Sequence, residues 1–343
     1  MNENCVHYLD EKSPEFILFY GNGFKIDKLP KGTRVIYPPK PIKEISEPKK
    51  AIENALENPI NSKPLSQLLR QGMKITIAFD DLSLPLPPMK SPDLRRVAIE
   101  LILEKLEKSG ITDIHLISAI CLHRKMTKEE FQEMLGTEIV EKFYPAQLYN
   151  HDAEDRENMK YLGETEEREK VYINKRAFES DLVIYVNINF VSMDGGHKSF
   201  GTGLADYHTV RHNHNYNTLM NSKSYFDPEN SMLHNILTRQ GKLIEKNLKA
   251  FHLEMTINND LFPNYLKFLE KRHYELTFID KLLSRLLVGI TSILSPNLQR
   301  KLANSIRSNY GLIGVYGGDV DGVHKKSLED NFKQYEVKID GQS

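Results

Sequence analysis

Apolar residues along this chain fall into two alternating rhythms. Residues 74–79 (KITIAF), 113–119 and 182–190 (LVIYVNINF) are short apolar runs of strand length. Between them, residues 94–109 carry apolar side chains at helical spacing and end at Gly110, a glycine placed to cap a helix C-terminus. Thr127 with Glu130 three residues later is the signature of a capping box and opens another helix. The pattern predicts a long helix over 231–251, a strand over 253–257, a strand over 311–316 and a helix over 320–335, with a further strand starting at Val337. The first part of the chain is less regular. Strands are predicted over 16–20 and 33–37, stopped by Gly21 to Gly23 and by Pro38-Pro39, then helices over 49–57 and 64–70.

Strands that alternate with helices in this way belong to the α/β class, with a mainly parallel sheet and helices on its faces. Residues 259–308 break the alternation: they read as helix, are rich in Leu and Lys, and contain Gly289 as their one glycine. The predicted organisation is therefore an α/β domain over 1–258, a helical insertion over 259–309, and an incomplete second α/β domain over 310–343. The insertion has a second reading as a membrane-surface or partner-binding helix. Ligands of open α/β sheets bind beyond the carboxyl ends of the strands. That rule selects three loops: 80–88, 121–126 and 192–214.

Composition narrows the partners. Of the 343 residues, 46 are Lys or Arg and 47 Asp or Glu, a formal net charge of -1. Nucleic-acid binding needs a concentrated positive surface, so it is not expected. Two cysteines, Cys5 and Cys121, make neither a disulfide framework nor a zinc ribbon. The N-terminal residues are polar, unlike a signal peptide. The most apolar stretch, 282–294, carries Arg285 and is too short to span a bilayer. The expectation is a soluble cytoplasmic protein without a membrane or nucleic-acid partner.

The three loops hold the candidate chemistry. Asp80, Asp81 and Ser83 offer oxygen ligands for a ribose, a phosphate ester or a metal, and equally are turn or capping residues. His123 can act as a general base, and Arg124 beside it can hold a carboxylate. Gly195 and Gly196 after a buried strand let a backbone approach a phosphate, and Lys198 supplies a charge clamp or an amine for covalent attachment. The segment matches neither a Walker A loop nor a GxGxxG fingerprint, because His197 stands between glycine and lysine. His208, His212 and His214 form a dense imidazole cluster suited to zinc, nickel, copper or iron, without the glutamate of HExxH.

Together these segments resemble the nickel-pincer lactate racemase family. The resemblance is carried by residues 72–81 (GMKITIAFDD) with the preceding 58–62, by 119–124 (AICLHR), by 150–163, by Gly195-Gly196-His197-Lys198 with Asn213-His214, and by 316–321 (YGGDVD) with His324. It covers most of 16–258 and 310–335. What the resemblance implies is a pyridinium-derived mononucleotide carrying nickel, attached through a thioamide to Lys198, with His214 as nickel ligand. It further implies Asp81 and Ser83 near the cofactor, with Gly195 and Gly196, and His123 as a proton-shuttling histidine. Arg124 is the candidate for binding the substrate. The reaction implied is racemisation or epimerisation of a small-molecule 2-hydroxy acid by reversible hydride transfer. Three positions depart from the family pattern. Leu84 stands where an arginine is usual, Ile188 where counting without gaps puts the second proton-shuttling histidine, and His197 where an arginine precedes the lysine. The family's second domain continues beyond residue 343, so the sequence reads as a fragment. The alternatives are a noncatalytic relative that binds cofactor or metal, and an unrelated metal hydrolase built on His208, His212 and His214.

Overall fold

The computed structural model describes residues 5–20, 23–83 and 87–337. Its centre is a six-stranded sheet. The strands, in chain order, are β1 (Lys74–Phe79), β2 (Asp113–Ser118), β3 (Leu148–Asn150), β4 (Leu182–Asn189), β5 (Ala250–Ile257) and β6 (Leu312–Gly318). Across the sheet they lie in the order β6-β5-β4-β1-β2-β3. All pairs are parallel except β5 with β6, which run antiparallel. The α/β class read from the alternation is therefore the observed one.

Burial explains why these runs are strands. Every residue of β4 is buried, as expected for a parallel strand covered on both faces. Alternation then assigns the faces. Ile184, Val186 and Ile188 join the larger core with Ile75, Ile77 and Phe79, together with side chains from helices α1 (Pro48–Glu57), α2 (Leu94–Lys108) and α3 (Lys128–Leu135). Val183 and Tyr185 point to the other face, against Phe200, Leu204 and Ile244. The capping box of Thr127 and Glu130 is present at the start of α3.

The long helix predicted over 231–251 stops early. Helix α5 covers Met232–Glu245 and β5 begins at Ala250, because Ala250 and Phe251 pair with Val183 and Ile184. Ladder hydrogen bonds override the helical pattern there. Helix α4 (Tyr207–Asn213) lies between β4 and α5 in the chain, and helix α8 (Val320–Tyr335) follows β6.

The block predicted as a helical insertion contains a 3-10 segment, Asn264–Glu270, and helices α6 (Phe278–Ile293) and α7 (Pro296–Ser305). Its ends meet: the Asn258 N–H donates to the Gly311 carbonyl at 2.9 Å, and the Gly311 N–H to Asn258 Oδ1 at 2.9 Å. Residues 312–318, read from sequence as opening a second domain, form the edge strand of this same sheet, and α8 packs back on β5 and β6. Counting strand and helix as a new unit overlooked that an antiparallel edge strand can close an otherwise parallel sheet. The strand expected from Val337 onward falls beyond the described residues after Val337 itself, which is not in a strand. Among the described residues no helix is long and apolar enough to cross a membrane.

Candidate active site

The chain leaves β1 toward β2 and β3, then returns to place β4 on the other side of β1. A crevice opens where the strand order reverses. It holds a cavity of about 490 Å³ whose lining includes Asp81, Ser83, His123, Gly195, Lys198 and His214. All three loops selected from the sequence contribute to it.

The first loop is anchored from below. Arg95, fully buried at the start of α2, donates to the carbonyls of Asp80 and Asp81 and is neutralised by Asp93, 2.7 Å from its Nη2. Asp80 points inward and accepts the Ile188 N–H at 2.7 Å and the Asn187 side-chain amide at 3.1 Å. Burial pushes its carboxyl up to about 7. Asp81 faces the second loop, where His123 Nδ1 lies 2.8 Å from Asp81 Oδ2. Ser83 Oγ donates to Asp81 Oδ1 at 2.5 Å and sits 3.0 Å from the same imidazole nitrogen. Burial alone would raise the Asp81 carboxyl, but the hydrogen bonds from His123 and Ser83 outweigh it and hold the pKa below the ordinary value. The Asp81 hydrogen bond raises the His123 pKa in return. Cys121 also borders the cavity; burial pushes its thiol up to about 11, so it is no thiolate nucleophile at neutral pH.

The third loop turns on its two glycines, at φ 82° and 57°. The sequence reading gave them a phosphate to approach. Side chains crowd both positions: a Cβ on Gly195 would lie 2.7 Å from Glu254 Oε2, and one on Gly196 2.7 Å from His324 Cδ2. The Gly196 N–H donates to Glu254 Oε1 at 2.7 Å. Glu254 Oε2 accepts from Asn189 at 2.6 Å and lies 3.2 Å from His324 Nδ1. Burial pushes the Glu254 carboxyl up, yet His324 and the Gly196 N–H bring it below its usual value. Burial opposes charge on His324 as well, and Glu254 more than offsets it. This turn aims Lys198, whose Nζ is 3.0 Å from Asp194 Oδ1. Asp194 is itself fixed by the N–H groups of Phe190 and Val191. A π-helical turn, Ser199–Gly203, follows directly, a distortion frequent at functional sites.

His214 caps α4 and hydrogen-bonds through Nδ1 to the Asn213 side-chain oxygen. Burial lowers its pKa, which favours the neutral ring. With Nδ1 so engaged, Nε2 keeps its lone pair for a metal ion. His208 and His212 do not join it: His212 Nε2 accepts the Lys170 N–H at 3.3 Å, and the His208 ring lies 6.0 Å from that of Tyr172. Among the described residues no three His, Cys, Asp or Glu side chains are grouped to hold a metal. A metal here would need most of its ligands from a cofactor, and a sulfur-rich pincer with one imidazole suits nickel. Lys198 and His214 on one cavity therefore fit the group that the resemblance implies.

Other expected residues lie elsewhere. Arg124 does not line the cavity; its guanidinium is paired with Glu130 at 2.8 and 2.5 Å. Gly196 and His197 border a second cavity of about 410 Å³, shared with His234 and His324, where His197 Nε2 is 3.2 Å from Asp321. Ile188 is fully buried in the core on the opposite face of the sheet, whereas its neighbour Asn187 lines the first cavity. Strand alternation makes a one-residue difference decisive. Leu84 lies outside the described residues. Sequence reasoning missed Asp194, Asn187, Glu254 and His324 as parts of this site. A charged residue inside an apolar strand, Glu254 in β5, was the available signal.

Comparison with known proteins agrees with this geometry. A family model described as Lactate racemase N-terminal domain matches residues 20–226. The lactate racemase of Thermoanaerobacterium thermosaccharolyticum is 30% identical over 168 residues, covering 48% of this chain and 37% of that protein. The lactate racemase of Lactiplantibacillus plantarum is 27% identical over 216 residues, covering 61% and 48%. The chain thus spans less than half the length of these curated relatives. Among solved structures, the lactate racemase apoprotein from T. thermosaccharolyticum superposes with a TM-score of 0.58 at 22% identity, over 92% of this chain and 61% of that one. A protein from Thermotoga maritima gives 0.54 at 16% identity, over 87% and 62%. The match over well more than half of the chain places it in the lactate racemase N-terminal domain family.

Proposed function

We propose that this chain carries the cofactor half of a racemase or epimerase acting on a 2-hydroxy acid, with a nickel-pincer nucleotide tethered to Lys198. The observation that carries the reading is the convergence of Lys198, His214 and the Asp81–His123 pair on one cavity at the strand switch point. Lys198 would hold the cofactor covalently and His214 would donate Nε2 to its nickel. When bound, that group supplies a reversible acceptor for the α-hydride of the substrate.

The chain's own residues manage the proton. Donation from His123 Nδ1 to Asp81 leaves Nε2 to take the hydroxyl proton, and the paired carboxylate stabilises the imidazolium that results. Because Asp81 raises the His123 pKa, the base form grows as pH rises through that value. Asp194 holds the Lys198 amine in place before attachment. Arg124 would have to release Glu130 to reach a substrate carboxylate.

The test is intact-protein mass with metal analysis after expression alongside cofactor-synthesis proteins and nickel. The expected result is a mass adduct mapping to Lys198 and about one nickel per chain, both lost in Lys198→Ala. A folded protein without adduct or nickel would overturn the reading. The second reading, a relative that binds cofactor without turnover, is favoured by Ile188 lying in the opposite core and by Arg124 being held by Glu130. His123→Ala separates the two, since it removes turnover in a racemase and leaves adduct and nickel unchanged.

A further inference from the structure

Helix α6 is built inside out. At 100° per residue, Phe278, Ile279, Leu282, Leu286, Ile290 and Ile293 fall within an arc of about 120°. All six are exposed, Phe278 by 81% and Ile293 by 82%. The two buried residues are polar, Asp280 at 5% and Ser284 at 8% exposed, with Leu287 and Val288 half-buried beside them. The reason is local. Asp280 closes a capping box with Thr277, lies 2.8 Å from Lys271 Nζ, and its carbonyl accepts the Ser284 hydroxyl at 2.9 Å. An ordinary surface helix turns the other way, apolar stripe to the core and charges to water.

Helix α7 extends the surface. Leu298 and Leu302, one turn apart, are exposed. The Gln299 side-chain amide donates to the Thr291 carbonyl at 2.6 Å and to that of Leu294 at 3.2 Å, so the two helices move as one unit. The hairpin of Phe16–Tyr20 and Gly23–Asp27, which carries the exposed Phe19, packs against α6. An apolar face of this extent on a protein surface marks an interaction site.

Charge selects the occupant. Across residues 277–305 the single acidic residue is Asp280, and it is buried and neutralised by Lys271. Lys281, Arg300 and Lys301 are exposed and have no ion pair among the described residues, while Arg285 is paired with Glu15. On the helical wheel, Lys281 and Arg285 border the apolar arc. An apolar face that carries the cations Lys281 and Lys301, with Glu15 and Asp27 on its hairpin flank paired with Arg285 and Lys25, complements a lipid surface with negative headgroups. We infer that α6 and α7 form a membrane-surface docking face that lies in the headgroup layer of an anionic bilayer. This inference does not depend on the chemistry proposed for the cavity.

The test is flotation of the whole chain with vesicles of phosphatidylglycerol mixed with phosphatidylcholine, and with phosphatidylcholine alone. Binding is expected to the anionic vesicles, with weak or no binding to the neutral ones. Lys281→Glu with Lys301→Glu should lower the partition roughly tenfold or more. Leu282→Glu with Leu286→Glu should abolish it. Both pairs are exposed, so the far-ultraviolet circular dichroism and melting should stay as in the parent. Absence of anionic-vesicle binding by folded protein would overturn the inference. So would binding that persists in the Leu282→Glu, Leu286→Glu variant, or sedimentation showing that those substitutions instead dissolve a dimer.

Discussion

Two carboxylate–imidazole pairs flank the loop that carries Lys198, and the fold uses them differently. Asp81 and His123 sit 2.8 Å apart at the ends of β1 and β2, and the imidazole is 54% exposed. Glu254 and His324 sit 3.2 Å apart beneath the Gly195–Gly196 turn, with the imidazole 11% exposed and the carboxylate 0%. Each pair lowers the pKa of its acid and raises that of its histidine. The difference lies in how open the imidazole is. Glu254 spends its oxygens on Gly196, Asn189 and His324, all protein groups. Asp81 is likewise held by Ser83 and His123, but His123 stands open at the first cavity whereas His324 is nearly closed off at the edge of the second. The same pairing is thus closed off in one place and open to solvent in the other, and on the proposed function the open one is the proton-transfer pair.

The strongest way to break the contrast is Glu254→Ala. Removing one member of a buried pair strands the other, so a stability loss of about 3–5 kcal/mol is expected by thermal or denaturant unfolding. Glu254→Gln keeps an acceptor for Gly196 and should lose less. If Glu254→Ala melts like the parent, the support role is wrong.

Asp81→Asn should act on chemistry instead. Without the carboxylate, the His123 pKa should fall toward the ordinary 6.5, read by NMR titration, and turnover should drop on the order of 10²-fold. The sign for stability follows from the shifted folded values. The raised His123 contributes below pH 6.5 and is lost as pH rises through its folded pKa, while the lowered Asp81 contributes above its usual 3.8 and is lost as pH falls through its folded value. The same holds for His324, while Glu254, lowered from 4.5, gives its contribution above that pH and loses it as pH falls through its folded value. The buried pair therefore stabilises most between those limits. Asp81→Asn and Glu254→Gln should each flatten both the acid and the alkaline side of the melting profile, the buried Glu254 pair by more. The smallest effect belongs to Arg124→Ala, which removes an exposed ion pair and should change stability by less than about 1 kcal/mol. A large loss of turnover in that variant would show that Arg124 leaves Glu130 to meet substrate.

Much of the cavity could be read before any coordinates, because the parallel-sheet rule points at strand-end loops and the chemistry-bearing side chains lie in them. Asp81, Ser83, His123, Lys198 and His214 all reach one cavity for that reason. The support beneath was not legible. Glu254 is one polar residue in an apolar strand, and nothing local says that His324, 70 positions later, will meet it. Ile188 shows the limit of counting: its register in β4 puts it in the opposite core, a matter of one residue. The position of β6 was hidden likewise, since a strand's partner is fixed by pairing and not by its own composition. The end of α5 was misplaced because the helical pattern runs on into residues that the sheet claims for β5.

The reciprocal bonds between Asn258 and Gly311 have a consequence for how this lineage can vary. The segment between them leaves and rejoins the sheet through this closed neck, and is held elsewhere by Ser308 against Pro88 and Lys90 and by α6 on the 16–27 hairpin. Each doubling of such a loop costs about 0.6 kcal/mol in closure entropy. Residues can be added at the turn between α6 and α7 while the register of β5 and β6 stays put. The neck leaves the sheet at the carboxyl end of β5, the end that also carries the cavity, and Phe190 and Val191 border both the cavity and the segment that starts there.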